Sequence, residues 1–465
     1  MSTTAPAADA SLAAPSGSNR VAYWALVGSQ LRKNRSAMVA WRLLKGLWIL
    51  AVTAPLLAMN VPLFRVGDGS VGWTLHERLF DRTVFANGVD VFFNLILVAS
   101  PFWILGRRLA DDRRAGRLAK GTIFWLVVVA VSLWGAFASR ASLRIAAFGV
   151  GGSFALLSFA ASSARRTGPW LAPRTVRLLA LVCFVVGFFG ILDRDETRPW
   201  TQWRGEGAVA STFAVFPPVP FHPDNVGDDT RAPLERARDN VPSAAHWLGC
   251  DDGGRDVISR LLFGTRISLT IGLVGVSIYI LIGVILGALA GYYGGWVDLL
   301  ISRLVEIMIC FPVMFLLLTI ITVFETRSIF LIMVAIGLVG WPGVARLVRG
   351  EFLRQRGLDY VTAAKSQGIP ERRVIFGHVL PNCLGPVLVS ATFGVASAIL
   401  TESAIAFLGL GDPNASSWGE LLTKGRSSLQ WHLILAPGFA IFFVVTVFNL
   451  LGEGLRDALD PKLRR

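Results

Sequence analysis

From Ile267 to Gly291 the chain reads ISLTIGLVGVSIYILIGVILGALAG, with no charged residue in it. A helix needs about 20 mostly apolar residues to cross the hydrocarbon core of a bilayer, so this stretch is read as a membrane span. Further runs of the same kind lie on both sides. Before it come Val39–Asn60, Val91–Gly106, Thr122–Ala138, Ile145–Ser162 and Val176–Leu192; after it come Leu299–Phe324, Ile329–Val348, Leu384–Ala406 and His432–Gly454. The composition agrees: of 465 residues 53% are hydrophobic and only 16% charged, where a soluble domain carries about 25% charge. The expected fold class is therefore all-α, a polytopic helical membrane protein.

The formal net charge of +14 could suggest nucleic acid. The Lys and Arg residues instead fall in short clusters between apolar runs, as cytoplasmic loops do. Arg107, Arg108, Arg113, Arg114, Arg117 and Lys120 follow the second run, and Arg165, Arg166, Arg174 and Arg177 follow the fourth. Both loops are expected inside, together with the N-terminus (Arg32, Lys33, Arg35) and the C-terminus, while the hydrophilic 193–266 region is expected outside. Ile145–Ser162 is the least apolar run, yet omitting it alone would invert everything after it. Residues 1–20, rich in Ala, Ser, Pro and Thr without an apolar segment, read as a disordered tail rather than a signal peptide. An amphipathic lead with Trp24, Leu26 and Leu31 precedes the first span. The four cysteines form no disulfide framework and no metal-ligand spacing.

The stretch Tyr360–Asn382, YVTAAKSQGIPERRVIFGHVLPN, stands between two spans. LRQRGLDYVTAAKS predicts a helix continuing from the preceding span. Gly368 breaks it and Pro370 restarts a second helix, with Glu371 in its first turn and Pro381 as its end. Small residues at Ala363, Ala364 and Gly368 would let another surface approach the backbone. Spacing alone favours an ordinary inter-span loop, since helix-breaking Gly and Pro are common turn punctuation.

This stretch, AAKSQG followed by HVLPN, resembles the EAA loop of ABC importer permeases, the cytoplasmic segment that docks into an ATPase subunit. HWLGCDDGGRDVISRLLFGTRISL, GYYGGWVDLLISRLVEIM, ESAIAFLGLGDP and GEGLRDALDPKL are similar to C-type permease subunits of dipeptide and oligopeptide importers, and GELLTKGRSSLQ to the microcin C peptide subgroup. The resemblance covers roughly residues 240–465. It implies a type I importer transmembrane fold and places Ala363, Ala364, Gly368, Pro370 and Pro381 in the ATPase-coupling loop. Thr362 stands where the family has its acidic residue. The implied partners are a second permease in a heterodimer, two ATP-binding subunits, an extracytoplasmic substrate-binding protein and membrane lipid, with no nucleic acid. The implied place is the bacterial inner membrane, and the implied work is ATP-driven import of peptides, including microcin C-like compounds. Nickel or another small solute is the alternative cargo, and a stand-alone secondary transporter the alternative class.

Such permeases have six spans, so about four here are extra, inserted between the first and second core spans; an even number preserves downstream orientation. The expected organisation is 1–20 tail, 21–60 lead and first span, 61–193 inserted bundle, 194–266 extracytoplasmic region, 267–456 permease core and 457–465 cytoplasmic tail. No G-x-x-x-x-G-K-[ST] phosphate cradle occurs, the five histidines show no metal-binding pattern, and no nucleophile elbow is present, so no catalytic residue, metal or cofactor is expected. Ionisable residues within spans are costly. Arg303 and Glu306, three apart, are placed to neutralise each other on one helix face or to meet substrate. Glu402 is placed to line the path or sit at the outer interface. Pro312 and Pro342 are expected to kink their spans.

Overall fold

The computed structural model describes residues 27–60, 63–67, 70–72, 79, 85, 87–110, 213–224, 241–244, 246–324 and 327–459. The runs at Thr122–Ala138, Ile145–Ser162 and Val176–Leu192 lie outside them. The main helices are α1 (Arg35–Leu57), α2 (Gly88–Ala110), α3 (Val257–Tyr293), α4 (Gly295–Cys310), α5 (Val313–Val323), α6 (Ile329–Arg356), α7 (Asp359–Ser366), α8 (Glu371–Val374), α9 (Leu380–Ile405), α10 (Trp418–Ser428) and α11 (Trp431–Leu459). Among the described residues α1, α3, α6, the Glu371–Leu410 run and α11 are long and apolar enough to cross a membrane, and α4 with α5 is an apolar pair bent by 86° that passes the same test only when taken together, as a broken span or a re-entrant loop. The helical membrane fold is as expected. It carries in addition a small antiparallel sheet, β1 (Phe64–Gly67), β2 (Ser70–Gly72) and β3 (Phe213–Val215), in the order β2-β1-β3. Arg65 pairs with Gly72 on one side and Ala214 on the other.

The run expected as one span over Leu299–Phe324 is broken. Pro312 cannot donate a backbone hydrogen bond and disfavours helical geometry in the residue before it; Phe311 accordingly sits extended at φ −80, ψ 131 and ends α4. Pro342 behaves differently, since α6 runs unbroken through it.

The described chain divides into two compact units. The first comprises the described residues within 1–46, 268–412 and 438–465. Here α3 lies against α6 along a glycine seam: a Cβ at Gly283 would stand 2.7 Å from Val344, at Gly287 2.5 Å from the Ala345 carbonyl, and at Gly291 2.5 Å from the Cβ of Phe352. These glycines recur every four residues and share one helix face, so the two backbones approach closely without side chains between them. Gly337 and Gly340 of α6 receive Ile278 and Tyr279 in return. Asn34 caps α1, accepting from the Ala37 N–H at 3.2 Å while donating to Asp457 beyond the membrane stretch of α11.

The second unit comprises the described residues within 47–267 and 413–437. Its apolar core gathers Ala54, Met59, Leu79, Phe85, Val91 and Phe263. The helix expected to start near Ile267 starts at Val257, because the residues between are satisfied by protein rather than lipid. Arg266 is fully buried, donating to the Ala51 carbonyl at 2.6 Å and to Asp90 at 3.1 Å under the rings of Phe93 and Phe263. Trp418 donates to the Leu261 carbonyl at 3.0 Å and fills the space left by Gly264. A buried charge paired in this way reads as polar in the sequence but behaves as core.

Candidate functional site

The segment between α6 and α9 lies in the first unit. α6 ends at Arg356 and Gly357 closes it, so the expected continuous helix into YVTAAKS is in fact interrupted at Gly357–Leu358 before α7 begins. α7 stops where predicted. The Gly368 N–H donates to the Lys365 carbonyl at 2.9 Å and the Ile369 N–H to the Ala364 carbonyl at 3.2 Å. This paired closure requires a left-handed residue after the cap. Gly368 provides it at φ +70.

Pro370 precedes α8, as predicted. The second helix does not end at Pro381. It continues through a widened π turn at Ile375–Val379 into α9, with the Leu380 N–H reaching back five residues to the Ile375 carbonyl. Pro381 lacks the N–H that a regular turn would use, and an inserted wide turn shifts the hydrogen-bond register ahead of it.

The segment has an inner and an outer face. Val361 and Val374 are fully buried. Ala364, expected at an accessible surface, is turned inward at 7% exposure. Thr362, Ala363, Gly368 and Pro370 are exposed and Pro381 is half-buried. Nothing lies within 4 Å of the position a Cβ would take at Gly368. Thr362 offers a hydroxyl on the outer face; Glu351 is engaged by Arg354 at 2.7 Å, and Asp359 lies in the first turn of α7.

Polar links that the spacing did not reveal tie this segment to its bundle. The Tyr360 hydroxyl donates to Gln355 Oε1 at 2.7 Å and receives the Asn382 amide at 3.3 Å. Lys365 Nζ lies 4.9 Å from the centre of the Tyr292 ring. Arg356 caps the end of α3, donating to the carbonyls of Gly291 at 3.3 Å and Tyr292 at 3.4 Å, where a cation suits the helix dipole. Arg349 grips Asp298 through two nitrogens. Asn382 and Tyr360 stand in the quoted stretch itself, but only a folded path brings them together.

Arg303 and Glu306 do pair, at 2.6 Å, with both side chains exposed. Glu402 is 1% exposed and receives the Ser403 hydroxyl at 3.4 Å. Pairing and burial are the two ordinary ways of carrying charge in a span.

The second unit holds another concentration of ionisable groups. Asp251 accepts from the backbone N–H of Gly253 and Arg255 and pairs with Arg260, Arg255 and Lys424. Burial works against its carboxylate, but Arg260, Arg255 and Lys424 outweigh that and hold it below the usual range. Burial pushes Asp224 and Glu420 upward despite nearby Arg260. His222 is driven down to about 3 by burial and then by Arg266, and its Nδ1 accepts from the Asp224 N–H at 3.2 Å. His246 meets Asp256 at 2.9 Å, whereas the nearby Ser259 hydroxyl donates to the Phe221 carbonyl. These groups form an internally compensated network, and among the described residues no set of His, Cys, Asp or Glu converges as a metal site.

Comparison with known proteins gives concordant results. The family described as "Binding-protein-dependent transport system inner membrane component" matches residues 283–465. The dipeptide transport system permease protein DppC of Alkalihalophilus pseudofirmus is 44% identical over 227 residues, covering 48% of this chain and 74% of its own length. The glutathione transport system permease protein GsiD of Pectobacterium atrosepticum is 41% identical over 292 residues, covering 59% and 95%. The oligopeptide transport system permease protein OppC of Haemophilus influenzae is 44% identical over 235 residues, covering 48% and 75%.

Proposed function

The chain belongs to the binding-protein-dependent transport inner membrane components, a multi-pass permease of an ABC importer, and from that membership we propose that it moves peptides into the cytoplasm as one half of a permease heterodimer. Two ATP-binding subunits hydrolyse ATP on its behalf, and an extracytoplasmic binding protein delivers the cargo. The observation that carries this reading is the exposed helix pair between α6 and α9, closed by Gly368 at φ +70 with open space around it. An element whose small outer residues are exposed and which is held to the bundle from inside is suited to docking another protein. Its outer face consists of Thr362, Ala363, Gly368 and Pro370. Ala364 and Pro381 shape it from within, and Thr362 gives the dock a hydroxyl in place of an ionic contact. ATP binding and hydrolysis in the docked subunits would shift the permeases between inward-open and outward-open states.

Peptide cargo is favoured over nickel or another small solute because the three relatives above are named for dipeptide, glutathione and oligopeptide transport. Microcin C-like peptides are the narrower form of this proposal. The described spans, with α4 and α5 counted as one, are the core, and residues 61–193 an inserted bundle with a peripheral stabilising or partner-binding role.

The deciding experiment is reconstitution of the chain with its second permease, with and without the ATPase subunits. Peptide uptake that requires ATP and the ATPases supports the proposal, and uptake by the chain alone on an ion gradient refutes it. Gly368→Asp, which places a charge on the outer face of the dock, is expected to insert normally and abolish uptake. The proposed orientation puts both termini and the dock in the cytoplasm. In a cysteine-free background Ala115→Cys and Ala172→Cys should then resist an impermeant thiol reagent in intact cells while Asn225→Cys reacts; external labelling at 172 would overturn the orientation.

A further inference from the structure

We infer that Tyr360 is the positioning residue through which movement of α7 reaches two membrane helices, α6 and α9, together. The inference rests on the proposal that α7 is the dock. α7 has eight residues, and its joints are not helical: Gly357–Leu358 separates it from α6, and the Gly368 turn separates it from α8. A helix that short, hinged at both ends, transmits displacement poorly along its backbone, since each joint can absorb rotation through its own dihedrals.

Side-chain contacts bypass both joints. The Tyr360 hydroxyl uses its hydrogen toward Gln355, 7% exposed near the end of α6, and its oxygen toward Asn382 in the first turn of α9. Asn382 also donates to the His378 carbonyl at 3.0 Å, which fixes the orientation of its amide beside the π turn. One hydroxyl thus joins a residue five positions before it to one twenty-two positions after it. The neighbouring Val361, fully buried, anchors the helix at that point. The bond to Gln355 is the stronger member because its acceptor is shielded from water.

A residue that merely stabilises the loop would affect assembly. A junction would affect how far movement spreads after assembly. The test uses the full permease pair with its ATPase subunits in lipid nanodiscs, carrying spin labels at Gly350→Cys on α6 and Leu388→Cys on α9 in a cysteine-free background. Both positions are exposed, and a Cβ at Gly350 meets open space. The readout is the change in label distance on trapping with ATP and vanadate, alongside ATPase association.

Tyr360→Phe is expected to keep the ATPases bound while the ratio of shifted to unshifted molecules falls about tenfold, the weight of roughly one net hydrogen bond to a buried acceptor. Asn382→Ala is expected to give a smaller loss, and the double variant no more than Tyr360→Phe alone, since both act through one hydroxyl. An undiminished shift in Tyr360→Phe, additive losses, or loss of ATPase binding in Tyr360→Phe would each overturn the inference. Failure of the unmodified chain to bind ATPases at all would instead remove the docking proposal on which it rests.

Discussion

Gly368 offers a measurement that separates backbone strain from partner contact. Its φ of +70 is disfavoured for any residue with a Cβ, and the space around it is open. Gly368→Ala therefore meets no clash and costs only the left-handed penalty, about 1–2 kcal/mol. Asn is larger but visits this region more readily, so Gly368→Asn should cost less in the chain by itself. The penalty acts locally, because the turn can open without disturbing Val361 or the spans. It should raise the open population of the turn by roughly 5- to 30-fold for Ala, and less for Asn. Amide hydrogen exchange over residues 363–370 of the solubilised chain reads this population directly. Association with the ATPases should follow the reverse order, with Asn worse than Ala, because a docked surface senses size as well as φ. Equal exchange in Gly, Ala and Asn forms would refute the view that the left-handed turn sets local stability. The same order in exchange and in association would refute close approach at this position.

Two further outcomes follow from packing and burial. Gly291→Ala places a Cβ 2.5 Å from the Cβ of Phe352 and 2.7 Å from the Arg349 carbonyl, so it should destabilise the purified chain by about 1–3 kcal/mol in thermal denaturation; Gly343→Ala, where nothing lies within 4 Å, should be neutral or gain about 0.5–1 kcal/mol. His222 has its pKa lowered from the ordinary 6.5 to about 3. Between those values the unfolded chain takes a proton that the folded chain refuses, so this contribution is complete above pH 6.5 and is lost on acidification toward 3, with a slope of at most about 1.4 kcal/mol per pH unit. His222→Asn should flatten the slope in denaturant titrations between pH 6.5 and 4; an unchanged slope would show that the histidine is not held neutral.

The five membrane-length helices are legible because uncharged length is a direct record of hydrocarbon thickness. Gly368 was legible because one backbone conformation narrows the choice of residue. Other features were hidden for identifiable reasons. The start of α3 lies ten residues before the apolar run; Arg260 and Arg266 look like the border of a span, yet each has a buried acidic partner, Asp251 nine residues before Arg260 and Asp90 far from Arg266 in sequence. Pro381 looked like a stop because the compensating π turn leaves no mark of its own. Ala363 and Ala364 are identical in type, and only the helix phase set by Val361 distinguishes outward from inward. The β1–β2 pairing is marked in the sequence only by Asp68-Gly69 between the strands, a hairpin signature to which apolar length is blind.

The break at Phe311–Pro312 bears on how much of this protein a cell can keep. Helix ends leave up to four backbone groups unpaired on each side, and in hydrocarbon each costs several kcal/mol unless protein or water covers it. Phe311 and Val313 are both about half exposed on this chain. Where neither protein nor water covers that break, the carbonyls ending α4 would meet lipid, a mark of incompleteness that membrane proteases can read. The steady-state amount of the subunit should accordingly track the supply of whatever covers the break, so that overproducing this chain alone yields turnover rather than accumulation.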